Sequence, residues 1–183
     1  MINSYITGKN LYLRHPTRND ALGRWHEWLS DEETTRWLNL RYWPNTIEKQ
    51  IDFFESLEKN NSRMVLSIVD IVSDRHIGVC SLSQINWVHR YCDIAIIIGD
   101  KDFKNGHSAL EAINLLLRVA FHRLNMRNIK SAYSLSNESS HVMHKILRFR
   151  EVGRFPALYW DHGNYVDEVV AVLTYSDWQL YAT

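Results

Sequence analysis

The sequence predicts a mixed α/β domain: one sheet with helices on both sides. Two observations predict it. The apolar period alternates along the chain between the spacing of a helix and that of a strand. Strand-like runs also form a block at 64–98, flanked by helix-like segments and followed by strand, helix and hairpin. The composition agrees, because 183 residues with 45% apolar content are enough for one substantial core. No Pro/Gly-rich linker, low-complexity tract or internal repeat divides the chain, so 1–183 reads as a single domain.

Leu11-Tyr12-Leu13-Arg14 reads as the first strand, and Asn19-Asp20 as the cap of a helix with Leu22, Trp25, Trp28 and Leu29 on one face. Ser30-Asp31 closes that helix. A short helical piece at 34–38 precedes a turn at Tyr42-Trp43-Pro44-Asn45. Thr46 then caps a helix carrying Ile47, Ile51, Phe54 and Leu57 at helical spacing. Runs 64–69 and 76–82 form a hairpin across Ser73-Asp74-Arg75, and 91–98, nearly all apolar toward its end, reads as a third strand covered on both faces. Next come a helix at 107–124, a strand at 128–135 and a helix at 138–147. The hairpin of 151–159 with 165–173 across Asp161-His162-Gly163-Asn164 completes the order.

Twenty-one basic residues balance twenty-one acidic ones, so no net field recruits nucleic acid or an anionic membrane. The first residues lack the apolar run of a signal peptide, and no stretch reaches the roughly 18 apolar residues of a membrane span, so a cytoplasmic protein is expected. Cys80 and Cys92 lie in strand-like apolar runs without metal-ligand spacing, which predicts reduced core thiols and no metal.

The order of elements, with a Gly-bearing turn between the strand at 91–98 and a long helix, resembles the GNAT superfamily of acyl-CoA-dependent N-acetyltransferases over nearly the whole chain. The residues that carry the resemblance are Leu11-Tyr12-Leu13-Arg14, Ile77-Gly78, Asp93-Ile94-Ala95-Ile96, Lys104-Asn105-Gly106-His107-Ser108 and Asn137-Glu138-Ser139-Ser140. Gly163-Asn164-Tyr165-Val166-Asp167 and Tyr175-Ser176-Asp177-Trp178 look most like the branch of ribosomal-protein, polyamine and amino-sugar acetyltransferases. The resemblance implies a mostly antiparallel twisted sheet that splays between its fourth and fifth strands, here 91–98 and 128–135. Acetyl-CoA would be the co-substrate, its pantetheine lying in that gap on backbone groups near Ile94, Ile96 and Ile98.

The family's phosphate loop, Gln/Arg-x-x-Gly-x-Gly/Ala, falls on Phe103, Gly106 and Ser108, so the first and last positions depart from it. Backbone N–H groups at the start of the helix would hold the pyrophosphate, with Asn105 and His107 in the loop and Lys101 and Lys104 adding charge. Taken without the resemblance, the same residues make a Gly turn with Ser108 as a helix cap.

Acetyl transfer needs a neutral amine, a donor for the oxyanion and a proton for the thiolate. The resemblance puts His144 where relatives carry a Tyr acid, and Arg148 where they carry a Gly. Tyr133 is the weaker substitute. Asn137 would cap its helix and touch the pantetheine. Asp93 falls where relatives often have the base; its alternative is a salt bridge to Arg90 or Arg118, and Glu111 and His89 are the lesser candidates for the base. Trp37, Tyr42, Trp43, Trp87 and His89 fall in segments expected to build the acceptor pocket, and aromatic faces suit a sugar ring, a nucleobase, a cation or a peptide. The acceptor expected is a small-molecule amine, with a nucleotide-linked amino sugar favoured, attacked directly in a ternary complex. A polyamine or protein N-terminus is the alternative, and a degenerate acyl-CoA sensor a third reading. A homodimer is compatible with all of them.

Overall fold

Thr17, two residues ahead of the expected cap, starts the first helix: its hydroxyl accepts from the Asp20 N–H while the Asp20 carboxylate accepts from the Thr17 N–H, a reciprocal capping box. The helix, α1 (Arg18–Leu22), breaks at Gly23, and α2 (Arg24–Ser30) begins in a new direction. That break turns Trp25 and Trp28 into the core and leaves Leu22, expected on the same face, 42% exposed. The short α3 (Glu32–Thr35) and a 3₁₀ turn at Asn39–Tyr42 lead to α4 (Ile47–Ser56), capped by Thr46 as expected. On α4 the fully buried side chain is Gln50, while Ile47 faces out.

The computed structural model describes residues 3–180; the residues at either end that the single-domain reading includes, 1–2 and 181–183, lie outside the described residues. Among the described residues eight strands make one sheet: β1 (Ser4–Thr7), β2 (Leu11–Arg14), β3 (Met64–Asp70), β4 (His76–Asn86), β5 (Tyr91–Ile98), β6 (Asn128–Ser134), β7 (Arg150–Asp161) and β8 (Asn164–Thr174). Their spatial order is β1-β2-β3-β4-β5-β6-β8-β7. Every neighbouring pair is antiparallel except β5 with β6. Strand β1 is absent from the sequence reading, because its four residues lack a clear apolar alternation. His162 and Gly163, both at positive φ, make the two-residue turn of the last hairpin.

Helices α1, α2 and α4 cover one face, where Ala21, Trp25, Trp28 and Leu57 meet Val65, Val79 and Ile97. On the other face lies α5 (His107–Arg118), whose Ala112, Ile113, Leu116 and Leu117 pack on Leu66, Cys80, Leu82, Cys92 and Ile129. A π turn at Val119–Arg123 continues α5 and carries Ala120 and Phe121 into the same core. Helices α6 (Glu138–Ile146) and α7 (Tyr175–Gln179) join this face through Met143 and Trp178. Both cysteines are free and buried, and burial pushes the Cys92 thiol up to about 12 and Cys80 higher still.

Two contacts fix the first layer to the sheet. The Trp28 ring lies against Gly99, where an added Cβ would fall 2.0 Å from a ring carbon. Asp20, 7% exposed, takes a bidentate pair from Arg14 at 2.5 and 2.9 Å, and the Ser67 hydroxyl from β3 at 3.1 Å. Among the described residues no helix is long and apolar enough to cross a membrane.

Gly99→Ala forces Trp28 off the sheet and is expected to cost ~1–3 kcal/mol, read as a lowered Tm. Burial pushes the Asp20 carboxyl up, but its hydrogen bonds with Arg14 and Thr17 and the nearby His76 outweigh burial and bring it down to about 2. Its stabilisation is therefore complete above about pH 4, the range where an unfolded carboxyl titrates, and is lost as pH falls toward 2. Asp20→Asn is expected to flatten the acid limb of a Tm-against-pH curve over that window, at the cost of a lower Tm at neutral pH.

Candidate active site

Strands β5 and β6 pair only at Tyr91–Asn128, Cys92–Ile129 and Asp93–Lys130. Beyond that rung β5 stays on β4 as far as Ile98, and β6 stays on β8 as far as Ser134. The facing edges of 94–98 and 131–134 therefore have no strand between them, which is the splay expected from the resemblance. This also corrects the expectation of a strand covered on both faces. Ala95 is exposed, and Ile94, Ile96, Ile97 and Ile98 are half-buried, because the sheet has opened beside them.

The loops at the open ends of the two strands lead into α5 and α6. After β5, buried Asp100 caps a 3₁₀ turn at Lys101–Phe103 and is held by Arg24 at 3.0 Å and Arg75 at 2.6 Å. Phe103 sits under the Arg75 guanidinium and packs on the core, so the unusual first position of the loop is a packing residue. Gly106 stands at φ +76, the left-handed region that other residues enter at a cost of roughly 1–2 kcal/mol. Gly106 is the N-cap of α5, and Asn105, not Ser108, supplies a side-chain acceptor to its first turn. The Asn105 Oδ1 accepts from the backbone N–H of His107 at 3.1 Å and of Ser108 at 3.2 Å, with the Ser108 hydroxyl at 3.4 Å. Lys104 reaches across to α3, donating to the Thr34 hydroxyl at 3.1 Å and lying 3.6 Å from Glu33; Lys101 and His107 are exposed.

The last paired rung divides the chemistry between the faces. Alternation puts Asp93 on the face of Ile97, under the first helical layer, and Ser131 on the face of Ile129, under α5 and α6. Asp93 pairs with Lys130 at 3.0 Å, its own rung partner; the expected partner Arg90 is instead bound to Asn125. Glu111 is used structurally, accepting from the Asn10 and Leu11 N–H groups at 2.7 and 3.1 Å. On the other side, His144 Nδ1 lies 2.7 Å from the Ser140 carbonyl and Nε2 2.8 Å from Ser131 Oγ. A carbonyl only accepts, so Nδ1 carries the proton and Nε2 takes the Ser131 hydroxyl proton as its bond. Burial lowers the His144 pKa, which keeps the ring neutral. The ring is held between Tyr133 at 4.4 Å and Phe149 at 4.9 Å. Tyr133 hydrogen-bonds His141 at 3.0 Å, and Asn137 caps α6 through the Ser140 N–H at 3.1 Å.

A cleft of ≈ 1130 Å³ opens between 29–45 and the tip of the last hairpin. Arg41 and Tyr42 both donate to the Trp160 carbonyl, at 2.6 and 3.0 Å, and Arg36 and Arg41 each lie 3.8 Å from Asp161. Tyr42 and Trp43 line this cleft, and Trp37 lines its narrow extension toward Ser134. Trp87 and His89 do not line it: their turn sits at the paired end of β5, where Trp87 bonds the Asn61 carbonyl. The two strands are parallel, so the turn entering β5 lies at the opposite end from the loops leaving β5 and β6. Asp31, Glu32 and Glu33 begin α3, with Asp31 as its cap. The arginines and Ser131 escaped the sequence reading; arginines are common surface residues, and Ser131 is marked only by its position after the last paired rung. Among the described residues no group of His, Cys, Asp and Glu is placed to hold a metal ion.

The fold has known counterparts. A spermidine N-acetyltransferase from Vibrio cholerae, solved with CoA and spermine, superposes with a TM-score of 0.85 at 21% identity, covering 94% of this chain and 99% of that one. The same enzyme in a dodecameric intermediate state gives 0.81 at 20% identity, over 96% and 100%. A GNAT-family acetyltransferase from Bacillus anthracis gives 0.76 at 19%, over 92% and 97%. Among curated proteins none matches. The family model for the acetyltransferase (GNAT) domain matches residues 10–150. The chain thus belongs to the GNAT family of acetyl-CoA-dependent N-acetyltransferases.

Proposed function

We propose that the protein moves an acetyl group from acetyl-CoA to the amine of a small molecule that also carries an anionic group, a nucleotide-linked amino sugar being the class that fits. The observation that carries this reading is the pair of guanidiniums, Arg36 and Arg41, beside Tyr42, Trp43 and Trp160 in one cleft. Guanidiniums bind phosphate in a fork, and the aromatic faces stack on a sugar or base. The comparisons fit the polyamine reading better than the amino sugar, since the solved spermidine N-acetyltransferases from Vibrio cholerae superpose on nearly the whole chain, and Glu32 and Glu33 line the same cleft. The polyamine reading is opposed by the two arginines and by Lys104 at Glu33.

In this reading the free edge of β5 at Ile94, Ile96 and Ile98 holds the pantetheine together with Asn137. The N–H groups of 106–108 hold the pyrophosphate, with Asn105 turning aside and Lys101 and Lys104 adding charge. Asp93 receives the first proton, the one that an ammonium must lose before it attacks. A homodimer belongs to the same reading. It rests on β7, an outer strand whose Val152, Phe155 and Leu158 are exposed, and sedimentation in solution tests it.

Thiol release from acetyl-CoA is expected with a uridine-diphosphate amino sugar and not with spermidine or an N-terminal peptide; the reverse order overturns the acceptor assignment. Arg41→Ala is expected to raise the acceptor KM about 10- to 100-fold, the loss of one charge-assisted bond, with the acetyl-CoA KM unchanged. Gly106→Ala, strained at its left-handed position, is expected to weaken CoA binding about tenfold, measured by calorimetry or by the rise in Tm that CoA causes.

A further inference from the structure

The expectation for His144 was an acid that donates directly to the leaving thiolate, and the geometry leaves it no hydrogen to donate. Its Nδ1–H is committed to the Ser140 carbonyl, and its Nε2 faces Ser131 Oγ at 2.8 Å. Ser140 and His144 stand one turn apart on α6, and the ring is fixed between Tyr133 and Phe149, so this tautomer is built into the fold. The group between the ring and the opened edge of β6 is therefore the serine. Ser131 is half-buried and is the first residue of β6 past the last rung shared with β5. It stands at the throat of the splay, on the face opposite Asp93.

We propose that Ser131, with His144 behind it, is the proton shuttle of the transfer: it takes the proton from the attacking nitrogen and returns it to the departing sulfur. The proposal rests on the acetyl-transfer reading above. An ammonium loses two protons on becoming an amide, while the sulfur gains one. The first leaves before attack, by way of Asp93. The amine then forms its C–N bond to the thioester carbonyl carbon and becomes a cationic nitrogen on a tetrahedral centre. That nitrogen gives its second proton to Ser131 Oγ as the Ser131 hydroxyl proton passes to His144 Nε2. When the C–S bond breaks, the imidazolium returns a proton to Oγ, and the Ser131 hydroxyl proton goes to the thiolate. Serine and histidine end as they began, with no covalent enzyme intermediate and no other reactant. One hydroxyl serves both ends because nitrogen and sulfur are substituents of a single carbon. A neutral histidine is the form that starts this cycle, and return of the proton to sulfur is downhill because a thiol titrates near 8.5.

The groups facing His144 are the uncharged Ser131 and Tyr133 from β6, and Ser140 and His141 from its own helix, with Phe149 beyond them. From β7, Glu151 and Arg154, themselves paired at 2.6 Å, act on Tyr133. None of them is a fixed charge in contact with the ring. The requirement for neutral imidazole thus predicts an acidic limb in kcat with an apparent pKa below 6.5.

The test uses Ser131→Ala, Ser131→Thr, His144→Phe and the double variant, with hydroxylamine as a probe amine that needs no acceptor pocket and is uncharged near neutral pH. Ser131→Ala is expected to lower kcat about 10²-fold with the acetyl-CoA KM and the CoA-induced rise in Tm unchanged. The acidic limb should disappear, Ser131→Thr should restore most of the rate, and the double variant should be no slower than the slower single one. Nitrogen NMR of the imidazole should show His144 in the Nδ1–H tautomer. Wild-type kcat in Ser131→Ala, additive losses in the double variant, the Nε2–H tautomer, or an acetyl group on Ser131 by mass spectrometry without an amine would each overturn the shuttle. If the wild-type protein releases no thiol with any amine, the acetyl-transfer reading fails instead, a result separate from all of these.

Discussion

The parallel ladder between β5 and β6 stops after Asp93 and Lys130, and the rest of the site follows from that stop. Past that rung each strand remains paired on its other side. What the sheet gains is two strand edges facing each other across a gap, lined with backbone donors and acceptors. An extended amide-bearing chain such as pantetheine meets the same hydrogen-bonding pattern that a strand would. The loops past the gap lead to the starts of α5 and α6. The base candidate and the serine–histidine pair take opposite faces because they are one residue out of phase on paired strands.

The roof of the cleft between 29–45 and the last hairpin depends on contacts across the fold. Arg41 and Tyr42 tie the 3₁₀ segment to the Trp160 carbonyl at the hairpin tip, while Lys104 ties α3 to the loop ahead of α5. Segment 31–43 therefore touches both the loop ahead of α5 and the tip of the last hairpin. The buried Asp20 cluster and the contact of Trp28 with Gly99 hold the layer beneath it on the sheet.

Most of the architecture was legible in sequence, since period changes mark the long strands and the amphipathic helices. The boundaries of β5 and the His162-Gly163 turn are where the residues placed them. What escaped reading depended on distance contacts or local breaks. Gly23 divides a helix that apolar spacing alone would continue, and β1 is too short to show alternation. Asp93 was singled out, but Lys130 as its partner follows only from strand register. Trp87 and His89 were placed at the cleft by their nearness in sequence to β5, a measure blind to which end of a parallel strand opens. The cation pair in the cleft and Ser131 gave no signal, because nothing in a linear pattern shows an arginine meeting Asp161 or a serine meeting a histidine 13 residues on.

The side chain of Asn105 gives the loop ahead of α5 a particular character. The first two N–H groups of α5 already hold an oxygen of the protein's own, so an anion binding there would displace an amide oxygen rather than water. The turn ahead of α5 is thus held by a side chain of the loop itself. Affinity there would report a difference between two acceptors on the same donors, an anionic oxygen against a neutral one, with the anion favoured because a charge-assisted bond is roughly twice as strong.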